Sequence, residues 1–206
     1  MTTPGVAAFD FDGTLVPGDS LIAFLARVVG WKKLAAAATR HGPALADGYR
    51  SGGRDRSKAV LFNRVLPGTS LAQVEALGER YGRELLHRIR PEMSRAIAWH
   101  RARNHRLVIV SASLALYLEP FGRAAGFDQV IATRLATTER GELSGHLEGA
   151  NVRGPEKARL LRAALGDTPV ELWAYGDSPG DREMMRMADH ATWVGRRSKR
   201  PTDPRD

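Results

Sequence analysis

An apolar run that ends in two acids is the feature that most constrains this chain. The stretch VAAFDFDGTLVPGDS, Val6 to Ser20, leads into Phe-Asp-Phe-Asp-Gly-Thr, with Asp10 and Asp12 two positions apart. A carboxylate at the end of a buried strand is stable only where a cation or a set of donors meets it. Gly13 then lets the chain turn sharply. Any fold for this sequence must therefore gather compensating groups at one strand end, and those groups should lie at the ends of other strands.

Three further β-rich runs, HRLVIVSAS, DQVIATRLA and VELWAYGD, are apolar on both faces rather than alternating, and ATWVG (191–195) is a weaker fifth. Strands of this kind are buried on both faces in a parallel sheet. Helical patterns separate them at 91–104, 114–125 and 156–165; the first opens on Pro91 and the last follows Gly154-Pro155, both start signals. The expected fold is α/β, a Rossmann-like doubly wound parallel sheet. About ninety residues without strand signal separate the first two strands, rich in Ala, Leu and Arg. They read as an inserted α-helical cap, residues 19–90, on a core of residues 1–18 and 91–206. TTERGELSGHLEG alternates around turn residues and is a predicted β-hairpin leaving the core near Thr133. The end, RRSKRPTDPRD, is expected to fray.

Ligands bind beyond the carboxyl ends of such strands. The first strand delivers Asp10 and Asp12, the second Ser111 and Ser113, and the fourth Asp177 and Asp181, while Lys157 opens a helix near the same edge. Four carboxylates repel one another unless a cation compensates. The chain has no cysteine and no nearby histidine pair, so the ligand set is all oxygen, which suits Mg²⁺. A carboxylate beside such an ion and a lysine can attack phosphorus and form an aspartyl-phosphate. Order along the chain assigns attack to Asp10 and proton transfer to Asp12.

The net charge of +8 is uneven: between Trp31 and Val65 eight Lys or Arg stand against two Asp. Such a patch attracts an anionic substrate or an acidic membrane surface. No aromatic interleaving or reading motif accompanies it, so no nucleic-acid partner is expected, and no protein partner is evident. Residues 21–38 are broken by Arg27, Lys32 and Lys33 and read as a pair of helices rather than a membrane span. Without a signal-peptide pattern the expected location is the cytoplasm.

FDFDGTL, VIVSAS, Lys157 and YGDSPGDREMM, in that order, resemble the four motifs of the haloacid dehalogenase superfamily of phosphatases. The resemblance implies a Mg²⁺-dependent phosphomonoester hydrolase. Asp10 would be the nucleophile, and Asp12 the acid/base whose main-chain carbonyl also meets the metal. Ser111 would bind phosphate and Lys157 stabilise it. Asp177 would ligate the metal, and Asp181 would hold a metal-bound water or orient Lys157. Gly13 and Thr14 would turn the chain around the phosphoryl group. The helical insert resembles the cap of the phosphoserine phosphatase-like branch, although Gly13 and Asp19 stand where phosphoserine phosphatases carry Ser and Glu. The expected substrate is a small phosphorylated metabolite. The alternatives are a phosphatidylglycerophosphate-type lipid phosphate at a membrane surface and, less favoured, a phosphomutase.

Several residues keep two readings. Asp19 either caps the following helix or touches substrate. Arg54, Arg56 and Lys58 either recognise a second anionic group on the substrate or form a solvated face. Ser113 satisfies either loop backbone or substrate. Arg40-His41-Gly42, the tripeptide of histidine-dependent phosphatases, is read as chance, and Trp99, His100, Trp173 and Trp193 as packing.

Overall fold

The computed structural model describes residues 3–195, without the side chains of residues 44, 45, 48–52 and 54. The expectations for Arg54 and for the tail from residue 196 therefore lie outside the described residues. Strand β1 (Gly5–Phe9) is followed by helices α1 (Leu21–Val29) and α2 (Trp31–Val65), the two-residue strand β2 (Thr69–Ser70) and helix α3 (Leu71–Leu85). Helix α4 (Pro91–Arg101), strand β3 (Arg106–Leu114), helix α5 (Ala115–Ala125) and strands β4 (Gln129–Thr137) and β5 (Glu142–Glu148) come next. Helix α6 (Pro155–Leu165), strand β6 (Glu171–Gly176), helix α7 (Arg182–Arg186) and strand β7 (His190–Trp193) complete the described chain.

The seven strands form one sheet in the order β2-β5-β4-β3-β1-β6-β7. Neighbours from β4 to β7 pair in parallel, with β1 between β3 and β6. The winding runs outward from β1 in both directions, which puts a crevice at the carboxyl end of β1. Alternation explains the continuous apolar runs. Ala7, Phe9, Leu107 and Ile109 enter one core cluster with Leu118 and Phe121 of α5. Val6, Ala8, Val108 and Val110 enter the other with Leu161 of α6 and Met184 of α7. Both faces are covered, so both residue parities must be apolar.

Strand β4 pairs with β3 up to Thr133 and with β5 from Arg134 onward, antiparallel. The hairpin thus leaves the parallel core at the residue where the sequence placed its departure. The short β2 then pairs with β5, too brief to carry a periodic signal. Helices α1, α2 and α3 fill the interval between β1 and α4. α1 and α2 part at Gly30, and α2 continues through Pro43 to a bend at Gly53, where φ is 64°. The Arg40-His41-Gly42 tripeptide lies inside α2, away from any strand end. Among the described residues, no helix is long and apolar enough to cross a membrane.

Candidate active site

The chain leaves β1 in a tight loop. The main-chain N–H of Asp10 still donates to the carbonyl of Tyr175, while those of Thr14 and Val16 fold back onto the carbonyl of Phe11. Gly13 is needed here twice over. Its φ is +88°, and a Cβ would stand 2.2 Å from a carboxylate oxygen of Asp177. Asp177, just past the end of β6, therefore packs directly against the chain at position 13.

Asp10 is buried. Its Oδ1 accepts from Lys157 Nζ at 2.6 Å and its Oδ2 from Thr14 Oγ1 at 3.1 Å. Lys157 also donates to Asp181 Oδ1 at 2.5 Å. The other oxygen of Asp181 accepts from the N–H groups of Asp177 and Ser178 and from Ser178 Oγ, at 3.2, 3.0 and 2.9 Å. Asp181 thus aims Lys157 and shapes the loop after β6. Burial, then the charge of Asp181, raise the Asp10 carboxyl to about 7. Burial works against the ammonium of Lys157, but Asp10 and Asp181 more than offset it and hold its pKa above the ordinary value. One lysine serves two carboxylates, and Asp177 adds a third that raises Asp10 further.

Asp10, Asp177 and Asp181 each present a carboxylate oxygen, all within 4.8 Å of one another. An excess of negative charge, an acid pushed upward and an oxygen-only donor set fit Mg²⁺. The Asp12 carboxylate is not in that group. It turns aside, Oδ1 accepting from Ser20 N–H at 2.9 Å and Oδ2 from Ser20 Oγ at 3.1 Å and Ser113 Oγ at 2.5 Å. Burial raises its pKa, opposed by the hydrogen bonds from Ser113 and Ser20. Two acids two positions apart therefore face different partners.

A cavity of about 1090 Å³ opens over this end of the sheet. Asp10, Asp12, Gly13, Ser111, Ser113, Lys157, Asp177 and Asp181 all line it. Ser111 Oγ accepts from the N–H of Ser113 at 3.1 Å, which leaves its own proton available to an anion. Asp19, one position before Ser20, the N-cap of α1, lines the cavity and accepts from the N–H of Leu21 at 2.9 Å. Lys58 lines it too, donating to the carbonyl of Ala112 and, at 3.1 Å, to Asn151 Oδ1. Two expected substrate residues do not line the cavity. Thr14 is wholly buried behind Asp10 and does not line the cavity, and Arg56 is exposed on α2 outside it.

Sequence reasoning passed over Ser20, Asn151 and Asp55. Ser20 gives Asp12 two hydrogen bonds, and nothing in VPGDS marks it, because its contact depends on how the loop folds back. Asn151 donates to Asp55 Oδ1 at 2.8 Å and accepts from Thr133 Oγ1 at 2.9 Å, joining α2 to the sheet edge. Its signal was a polar residue between the hairpin and α6, where the topology returns to the carboxyl edge.

Residues 7–186 match the family model described as haloacid dehalogenase-like hydrolase. The protein CicA of Caulobacter vibrioides (strain NA1000 / CB15N) is 37% identical over 190 residues, covering 90% of this chain and 84% of that protein. A phosphoserine phosphatase of Halobacterium salinarum is 31% identical over 193 residues, covering 92% and 85%. Among solved structures, a protein of unknown function from Bordetella pertussis Tohama I superposes with a TM-score of 0.75 at 23% identity, covering 92% of this chain and 89% of that one.

Proposed function

The chain belongs to the haloacid dehalogenase-like hydrolases and is a phosphatase, and from that premise we propose a Mg²⁺-dependent phosphomonoester hydrolase that works through an aspartyl-phosphate on Asp10. Its substrate is a small phosphorylated metabolite. The observation that carries this reading is the division between the two acids: Asp10 bonded to Lys157 and Thr14, Asp12 to Ser20 and Ser113.

A carboxylate oxygen of Asp10 attacks phosphorus, and the bond from phosphorus to the leaving oxygen breaks. Asp12 gives its proton to that oxygen. Lys157 and the Ser111 hydroxyl hold the equatorial phosphoryl oxygens. Asp12, now a carboxylate, takes a proton from water as the water attacks phosphorus. Asp10 and phosphate are released. Asp10 and Asp177, with the main-chain carbonyl of Asp12 and with Asp181 behind them, would hold the Mg²⁺, which when bound neutralises the carboxylates and the phosphoryl charge. Residues 19–90 act as a cap whose Lys58 and Asp19 face the leaving group across the cavity.

A lipid phosphate is the second reading. It is favoured by Trp31, 64% exposed at the start of α2 beside the exposed Lys32 and Lys33, an arrangement suited to an anionic membrane surface. Phosphate release from a broad phosphomonoester panel, with Mg²⁺ and with EDTA, for wild type and Asp10→Asn, tests the reaction. Activity that needs Mg²⁺ and is lost in Asp10→Asn supports it, and full activity in Asp10→Asn overturns it. A preference for vesicle-borne over soluble substrates would transfer the proposal to the lipid reading.

A further inference from the structure

The surroundings of Asp12 determine which of its oxygens carries a proton. A carboxylate offers about four lone-pair sites, two on each oxygen. Ser20 Oγ and Ser113 Oγ occupy both on Oδ2, and the N–H of Ser20 occupies one on Oδ1. One position remains, on Oδ1, and Asp12 lines the cavity. The clamp is itself held. Ser20 has a single hydroxyl proton, and spending it on Asp12 makes Ser20 Oγ the acceptor from Tyr117 of α5, 2.8 Å away. Tyr81 of α3 donates to the carbonyl of Ser20 at 2.9 Å. Ser20 is 1% exposed and Tyr117 wholly buried, with the rings of Phe24 and Tyr81 packed on the Tyr117 ring.

We propose that Ser20 and Tyr117 are positioning residues for proton transfer: with Ser113 they saturate Oδ2 of Asp12, so that Oδ1 alone carries the proton handed to the leaving oxygen. This rests on the reading of Asp12 as the general acid. Without Tyr117 the Ser20 hydroxyl is held only by its bond to Asp12, and its orientation loosens. Without Ser20 Oγ, Oδ2 regains an open site, and the proton can settle facing away from the substrate. The contacts of the attacking carboxylate are untouched, because Asp10, Lys157 and Thr14 form a separate set of bonds.

A leaving group that is a good anion needs little protonation, whereas a basic one depends on it. The experiment is therefore kcat/KM across a series of aryl and alkyl phosphates, from p-nitrophenyl phosphate to benzyl phosphate. This parameter reports the first irreversible step, in which the leaving group departs. Wild type, Asp12→Asn, Ser20→Ala, Ser20→Thr and Tyr117→Phe are compared, with circular dichroism and thermal melting to check folding. Asp12→Asn is expected to steepen the dependence on leaving-group basicity most, since a general acid contributes about 10²- to 10⁴-fold. Ser20→Ala steepens it in the same sense, about tenfold at the basic end for the loss of one hydrogen bond to a charged group. Tyr117→Phe, which loses a bond to the neutral Ser20 hydroxyl, steepens it less. Ser20→Thr, which keeps the hydroxyl, restores the wild-type slope. If Asp12→Asn steepens the slope while Ser20→Ala and Tyr117→Phe lower every substrate equally, or not at all, their role is structural and the proposal is wrong. If Asp12→Asn leaves the slope unchanged, the acid reading beneath it fails instead.

Discussion

Asp10 is asked to be unstable and useful at once. Burial and the neighbouring Asp181 carboxylate lift its pKa to about 7 even with Lys157 beside it, so an ionised Asp10 opposes folding. Asp10→Asn removes that opposition along with the proposed nucleophile. In EDTA at neutral pH this variant is expected to be inactive yet to melt higher than wild type, by a margin of order 1–2 kcal/mol, as when a strained site is relieved. Added Mg²⁺ should narrow the gap by raising the wild-type midpoint alone. Differential scanning calorimetry with and without the ion reads both effects, and a lower midpoint for Asp10→Asn in EDTA would count against the strain. At this scale the sequence was most legible where motif and chemistry coincide: Asp10, Asp12, Lys157, Ser111, Asp177 and Asp181 all reach one cavity. Ser20 was not legible, because its two hydrogen bonds to Asp12 arise only when residues 11–20 fold back on the strand. Arg56 and Lys58 show the opposite limit. They are alike in sequence, but a helical turn of 3.6 residues separates positions two apart by about 200°, so only Lys58 lines the cavity.

Between elements, the closest joint is the crossing of α3 on α5. Gly78 and Gly82 lie one helical turn apart on α3. A Cβ at Gly78 would stand 2.1 Å from the carbonyl oxygen of Leu116, and one at Gly82 would stand 2.6 Å from that of Tyr117. Ala at a helical Gly normally stabilises by about 1 kcal/mol. Here the obstacle is backbone, which cannot rotate away, so packing wins over propensity. Gly82→Ala is expected to destabilise by about 1–3 kcal/mol, the usual cost of overpacking, and to lower activity further by shifting Tyr81 and Tyr117 about Ser20. Urea denaturation measures the first and phosphate release the second; a more stable Gly82→Ala would show the joint to be loose. Legibility at this scale followed burial. β1, β3 and β6 carry apolar residues of both parities because both faces of the sheet are covered there, while β4 is mostly half-buried, with Arg134 exposed. β2 has two residues and no period to read. Pro43 stands inside α2, and the bend comes only at Gly53.

Across the whole molecule, a packed histidine and aromatic cluster surrounds His100, from His105 just before β3 to Tyr175 near the end of β6. His100, with no exposed surface, joins His105 Nδ1 and the Tyr175 hydroxyl, each at 2.9 Å. Burial, then the charge of His105, lower its pKa from 6.5 to about 4. Between those values the unfolded chain binds a proton that the folded chain refuses, so this group's contribution to stability falls as pH drops from 6.5 and levels off below about 4. Relative to His100→Gln, wild type should lose of order 1–3 kcal/mol across that window, read as the pH dependence of the difference in thermal midpoints. A difference independent of pH would mean that His100 is protonated in the fold. At this scale the parallel sheet was readable from runs apolar on both faces, and the hairpin from the alternation in TTERGELSGHLEG. The dimensions of the cavity and the docking of α2 through Asp55, Lys58 and Asn151 were not, because they depend on contacts between segments about fifty to a hundred residues apart. The central claim is that Asp10 takes the phosphoryl group, and acid-quenched turnover followed by peptide mass spectrometry tests it most directly. A hydroxylamine-labile phosphoryl group on the peptide containing Asp10, absent in Asp10→Asn, is the expected result; an adduct on Ser111 or any other residue would contradict it.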